Sequence, residues 1–168
     1  SDGRSAAEIA VLGVTDVAVF DLPLAALMKG EIAGALAWAP AAQASPRWVQ
    51  QAEQWLAALG WNPQRALDAP GLLVARSIAM LINEAADAVQ QGVCSEAGAD
   101  AAMKLGVNYP AGPFEWLARW DAAAVVGLLD ALDAHYRGER YRASPWLRQR
   151  VWAAAAVQVE DAHEAVAA

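Results

Sequence analysis

The stretch from Pro70 to Leu117, PGLLVARSIAMLINEAADAVQQGVCSEAGADAAMKLGVNYPAGPFEWL, constrains this chain more than any other. Val74, Ile78, Leu81, Ile82, Ala85 and Val89 recur at steps of three and four, the spacing of a helix laid along a core. Leu73, Ala79, Met80 and Ala86 widen that stripe, so the helix is expected to be almost wholly buried, with partners on more than one side. Its start is expected near Ala69, with Asp68 as the cap and Pro70 in the first turn, where the N–H that proline lacks would be unpaired anyway. Gly92 follows Gln91 where a left-handed residue stops a helix. Asn83 is out of keeping with its neighbours: an amide in so apolar a helix must find a hydrogen-bond partner or face a cavity.

The rest of the stretch reads as helical with a rigid break. Ser95 caps a second helix expected to run through Met103 to Gly106, with Glu96 in its favourable first turn. Asn108-Tyr109-Pro110-Ala111-Gly112-Pro113 is a turn with two fixed φ angles, and Pro113 opens a short helix through Trp116 to Trp120. Asp121 caps the next helix, whose stripe is Val125, Val126, Leu128, Leu129, Leu132 and Tyr136, ending near Gly138. Ser144-Pro145 opens a last helix that carries Trp146, Leu147, Val151, Trp152 and Ala155 into an alanine-rich tail.

Upstream of Pro70 the pattern changes. Residues 1 to 7 are expected to be an unstructured start, followed by strand-length apolar runs at Ile9–Val14, Val17–Leu22 and Ala33–Trp38. Ser45-Pro46 opens a helix whose apolar face is Trp48, Val49, Ala52, Trp55, Leu56 and Leu59, closed by Gly60; Asn62–Leu67 is a further short strand. Strands alternating with one helix predict a small parallel α/β unit over residues 1–68, followed by a helical domain over 69–168.

A chain of 168 residues supports one substantial core or a domain with an appendage. Its net charge of −7 argues against nucleic acid or an anionic membrane as partner, since both need clustered Lys and Arg. The one basic group, Arg137, Arg140, Arg142, Arg148 and Arg150, reads as a solvated face. A single cysteine, Cys94, excludes an internal disulfide and fits a reducing, cytoplasmic setting. Eight tryptophans against two phenylalanines suggest helix seams or a partner surface.

Residue by residue, no catalytic set assembles. His135 falls on a last helical turn and His163 in the polar tail, so neither implies a metal. Glu84 and Asp87 mark the polar edge of the long helix. The glycines Gly13, Gly30 and Gly34 lack the G-x-G-x-x-G spacing that lets a pyrophosphate approach a helix N-terminus, so no dinucleotide cofactor is expected in this chain.

Several motifs taken together are more telling: P-G-L-L-V-A-R at 70–76, N-E-A at 83–85, G-V-C-S at 92–95, D-A-A-M-K-L-G at 100–106, N-Y-P-A-G-P-F-E at 108–115 and E-R-Y-R-A-S-P-W-L at 139–147. In this order they resemble the helical C-terminal domain of bacterial 3-hydroxyacyl-CoA dehydrogenases, and residues 8–68 are similar to a shrunken second half of that family's nucleotide-binding domain. The resemblance implies a mainly α fold, a helical domain like the C-terminal domain of 6-phosphogluconate dehydrogenase preceded by a half-Rossmann remnant. It implies NAD-dependent oxidation of a 3-hydroxyacyl-CoA for the parent enzyme, with a His–Glu pair and a substrate-side Asn. Here Ala75 stands at that Asn position, and Leu36-Ala37-Trp38-Ala39-Pro40 lacks the His.

With the reactive groups gone, the resemblance points to the second helical domain of a tandem enzyme. Its expected partner is a helical domain of the same enzyme, or a second copy of itself, met through Leu73, Ile78, Leu81 and Ile82. The enzymes acting on 3-hydroxyadipyl-CoA in phenylacetate breakdown are among the longer members it resembles. The alternative is an acyl-CoA-binding module whose pocket is formed by Ala75, Asn83, Asn108, Tyr109, Pro110, Gly112, Pro113 and Phe114. A chain beginning with Ser1 is expected to be a piece of a longer protein.

Overall fold

A computed structural model of the chain describes the backbone of residues 2–30, 32 and 34–167, and side chains as far as residue 157. In order, the elements are α1 (Ala6–Ala10), β1 (Ala18–Phe20), α2 (Leu24–Lys29), β2 (Ala35–Pro40), α3 (Pro46–Ala58), β3 (Asn62–Arg65), α4 (Val74–Gln90), α5 (Glu96–Val107), α6 (Pro113–Trp120), α7 (Ala122–Tyr136) and α8 (Pro145–Ala167). The fold is mainly helical with a small sheet near its N-terminus, as the sequence predicts. It divides into two compact units, Ser1–Met80 with Gly127–Arg142, and Leu81–Val126 with Ala143–Ala168.

In the first unit the strand order is β1-β2-β3. β2 and β3 run parallel, with Leu36 opposite Pro63 and Trp38 opposite Arg65, whereas β1 is antiparallel to β2, pairing Val19 with Ala39. The sheet is therefore mixed, not the parallel one expected. Pro63 is tolerated because β3 is an edge strand whose outer side needs no donor. Ser45 caps α3, accepting the N–H of Trp48, and Asp16 in turn accepts both the N–H and the hydroxyl of Ser45. Yet of that helix's apolar face only Ala52 is buried; Trp55 and Leu59 are exposed.

Two expectations for the N-terminal segment fail. Residues Ile9–Val14 do not form a strand: α1 occupies Ala6–Ala10, its cap Ser5 accepting from Glu8. Nor is the start of the chain unstructured, because Asp68 accepts the N–H groups of Ala6 and Ala7, both at 2.8 Å. Asp68 therefore caps α1 and not α4. Ala6 and Ala10 pack with Val19, Ala39, Ala41 and Leu72 into a core of mostly small side chains. The expected strand start at Ala33 and the side chain of His163 lie outside the described residues.

The helix α4 begins at Val74, later than expected, because Gly71 and Leu72 both take left-handed φ angles, 71° and 47°. A Cβ at Gly71 would stand 3.0 Å from a Leu132 methyl, so glycine serves both the turn and the close approach. The buried residues of α4 are Ala75, Ile78, Ala79, Ile82, Asn83 and Ala86, a regular three-and-four stripe that includes the one amide. Ser77, Glu84 and Gln90 are exposed, as is Leu73 just before the helix, so the helix is not buried all round.

In the second unit, Ser95 caps α5 by accepting from Gly98, and α5 runs to Val107, where left-handed Asn108 (φ 57°) ends it. The stop is thus one residue past the Gly106-Val107 pair, because Asn tolerates the left-handed region that a C-cap requires. Against α5 packs α6, whose Phe114, Trp116 and Leu117 are buried. Two of the eight tryptophans, Trp38 and Trp116, are almost fully buried, while Trp55 and Trp152 are exposed.

Candidate functional site

The first unit organises itself around a buried carboxylate. Asp21 follows β1 and is 1% exposed. Its Oδ2 accepts the N–H groups of Leu73 at 2.9 Å and Val74 at 2.7 Å, and its Oδ1 accepts that of Ala75 at 2.8 Å. Three of the unpaired donors at the start of α4 are thereby satisfied by one anion, where the helix dipole favours negative charge. A sequence reading misses this cap because the carboxylate lies more than fifty positions upstream. Ala75, the position at which the resemblance places the substrate Asn, is fully buried; it offers a methyl group and an amide already held by Asp21.

A dinucleotide does not fit this unit. The connection from β1 to α2 is Asp21-Leu22-Pro23, with no glycine and with a proline, which has no N–H, at the cap of a six-residue helix. The connection from β2 to α3 ends in Ser45-Pro46, and the Ser45 hydroxyl itself fills the helix N-terminus. Neither turn leaves a phosphate-sized approach to bare backbone.

The second unit holds the turn singled out by the sequence. Asn108, Tyr109 and Pro110 are exposed, whereas Gly112, Pro113 and Phe114 are buried. Gly112 donates its N–H to Glu115 at 2.9 Å, and Phe114 donates to Asp100 at 2.8 Å, so α5 caps α6 from the side. A Cβ on Gly112 would lie 2.4 Å from the Asp100 backbone, which explains why the turn uses glycine. Lys104 pairs with Glu115, lowering the Glu115 carboxyl below its ordinary range and raising the Lys104 ammonium, each through the hydrogen bond between them. Tyr109 packs tilted against Trp116, with ring centroids 5.7 Å apart.

Asn83 has the hydrogen-bond partner its burial demands. At 2% exposure, its Oδ1 accepts the N–H of Ser144 at 2.7 Å, fixing the Ser144-Pro145 entry into α8. It therefore belongs to the packing, and the expected pocket joining Asn83 to the Asn108–Phe114 turn does not form: the amide is enclosed and half of the turn faces solvent. The second unit also carries a groove of about 480 Å³ lined by Phe114, Leu117, Ala118, Val151 and Ala154, with Glu96 and Arg150, 3.6 Å apart, also in its lining.

The residues proposed for a partner surface separate in the same way. Ile78 and Ile82 are 6% and 0% exposed, covered by this chain's own side chains, and so cannot present a surface. Leu73 is exposed and Leu81 half-buried. Among the described residues no group of three His, Cys, Asp or Glu side chains could hold a metal, and no helix is long and apolar enough to cross a membrane.

Comparison with known proteins agrees with this architecture. Residues 71–160 match the family described as the 3-hydroxyacyl-CoA dehydrogenase C-terminal domain, and residues 1–70 the 3-hydroxybutyryl-CoA dehydrogenase reduced Rossmann-fold domain. The chain therefore belongs to the 3-hydroxyacyl-CoA dehydrogenase family. It is 38% identical over 151 residues to 3-hydroxyadipyl-CoA dehydrogenase of Escherichia coli (strain K12), an alignment covering 89% of this chain and 30% of that protein. A probable 3-hydroxybutyryl-CoA dehydrogenase of Deinococcus radiodurans is 33% identical over 95 residues, 56% of this chain and 34% of that one. Among solved structures, 3-hydroxybutyryl-CoA dehydrogenase from Escherichia coli K12 superposes with a TM-score of 0.80 at 39% identity, covering 89% of this chain and 30% of that chain. The (S)-3-hydroxybutyryl-CoA dehydrogenase from Ralstonia eutropha, at 22% identity and a TM-score of 0.74, covers 92% of this chain and 54% of that one and shares the fold. The chain thus spans about a third of the length of these curated relatives.

Proposed function

We propose that this chain is the non-catalytic helical part of an NAD-dependent 3-hydroxyacyl-CoA dehydrogenase, working by contact and not by hydride transfer. The observation that carries the reading is Ala75: the position that the resemblance gives to a substrate-side amide holds a buried methyl group, and its backbone donor is held by Asp21. The chain docks on a helical domain of the same enzyme, or on a second copy of itself when alone. The contact uses the exposed Leu73 immediately before α4, since Ile78 and Ile82 are enclosed. Docked there, it helps wall the acyl-CoA site of its partner. The similarity to a 3-hydroxyadipyl-CoA dehydrogenase supports a 3-hydroxyacyl-CoA substrate for the parent enzyme, which we place in the cytoplasm, in β-oxidation or phenylacetate breakdown, as the sequence reading expects.

Light scattering of the isolated chain tests the docking surface. A dimer that dissociates in Leu73→Asp, with the circular dichroism spectrum unchanged, is the expected result; a stable monomer for the unsubstituted chain at dilute and concentrated loading would overturn it. The second reading, an acyl-CoA-binding module, draws support from the apolar groove between Phe114 and Ala154. Calorimetry with acetoacetyl-CoA separates the two, because docking needs no affinity in the isolated chain.

A further inference from the structure

A cationic cleft sits in the first unit of this acidic chain, and none of the features described so far makes use of it. Arg76 on α4 and Arg137 and Arg140 in the turn after α7 line a cleft of about 310 Å³ together with Tyr136, Glu139 and Tyr141. Arg76, Arg140 and Tyr141 also line an adjoining cleft that reaches Ser77 and Met80. Left-handed Arg137 (φ 52°) reverses the chain at the end of α7, so residues 137–141 turn back toward α4. None of the three guanidiniums forms an ion pair with a carboxylate among the described residues. Glu139 is the one carboxylate in the lining, which leaves a local balance of about two positive charges.

The hydroxyl of Tyr136 adds a directed donor. Its oxygen accepts a hydrogen bond from Arg76 Nη1 at 3.3 Å, which leaves its own proton to be given to another acceptor. The Tyr136 ring is met edge-on by His135 at 4.8 Å and packs tilted against Tyr141 at 5.3 Å. The charge of the cleft comes from its guanidiniums, and recognition rests on the anion. Planar guanidinium forks favour carboxylate or phosphate, and a dianion bearing three acceptor oxygens matches both the charge and the number of donors better than a carboxylate does.

We propose that this cleft binds a phosphate group, free or carried by a small molecule, with Arg137 and Arg140 as its charged donors and the Arg76-oriented Tyr136 hydroxyl as a third. The cleft borders the docking surface, since Ser77, one turn on from Leu73, lines the adjoining cleft, but light scattering reads the docking and calorimetry reads the anion, so either reading can fail while the other stands.

The test is calorimetric titration of the full chain with inorganic phosphate, adenosine 3′,5′-bisphosphate and coenzyme A, at low and at raised NaCl. The expected result is saturable one-site binding that weakens with salt. It falls by about tenfold or more in the double variant Arg137→Gln/Arg140→Gln, whose side chains are exposed, and is unchanged in Arg47→Gln on α3. Equal affinity for inorganic phosphate and the two nucleotides supports the proposal with free phosphate as the source. Stronger binding of the nucleotides supports it with a phosphorylated cofactor as the source. Absence of saturable binding by all three probes, or equal binding by the double variant, overturns it.

Discussion

Asp21 Oδ1 accepts the backbone N–H of Ala75 at 2.8 Å across 54 positions of sequence, tying the end of β1 to the first turn of α4. The same carboxylate holds Leu73 and Val74, so the strand and the helix start form one latch. Asp21→Ala removes a buried acceptor from four amides at once, those of Leu22, Leu73, Val74 and Ala75, and is expected to cost about 3 kcal/mol, above the usual loss for a surface cap. Asp21→Asn, which keeps one acceptor but adds a donor facing other donors, should cost a comparable amount. Urea unfolding of both variants checks this; a loss under about 0.5 kcal/mol would show the latch to be idle.

Much of the second unit can be read locally. Ser95 caps α5 and Pro113 is the first residue of α6, each as its position predicts. The caps that go unread are long-range: Asp21 and Asp68 serve helices more than fifty residues away, and no local pattern marks them. Ile9–Val14 misleads for a related reason, because a short apolar run has no period of its own and the anchoring by Ser5 and Asp68 decides for helix. On α4 the buried stripe is rotated from the expected one, since small Ala75 and polar Asn83 lie inside while larger Leu81 is only half-buried. That rotation places Asn83 inside, where its side-chain oxygen accepts the Ser144 N–H.

Removing that partner should be costly. Asn83→Ala leaves the Ser144 N–H buried without its acceptor and opens a small cavity, with an expected loss of about 2–3 kcal/mol by chemical denaturation. A neutral result would mean that Ser144 is readily solvated.

Two glycines of the second unit should respond with opposite signs. Gly112→Ala drives a methyl group into the Asp100 backbone and is expected to lose about 3 kcal/mol or more. Gly106→Ala, inside α5 with nothing within 4 Å of the new carbon, should gain about 0.5–1 kcal/mol from helix propensity. Thermal melts of the pair check the contrast; equal shifts would contradict the packing described.

The Lys104–Glu115 pair predicts a pH dependence of definite sign. Glu115 is lowered from 4.5, so its contribution is present above that value and is lost as pH falls through the lowered one. Lys104 is raised from 10.5, so its contribution is lost as pH rises past the raised value. The stability difference between the unsubstituted chain and Glu115→Gln should therefore be flat near neutrality and shrink only toward each extreme. A difference that grows on acidification would contradict the pairing.

The central claim is that this chain has lost hydride transfer and retains contact. Incubating the purified chain with NAD and a 3-hydroxyacyl-CoA while following absorbance at the NADH band tests it most directly. No reduced cofactor above the enzyme-free rate is the expected result, with Ala75 buried and the β1–α2 connection closed by Asp21 and Pro23. Steady NADH formation, proportional to the amount of this chain and abolished by heating it, would contradict the account.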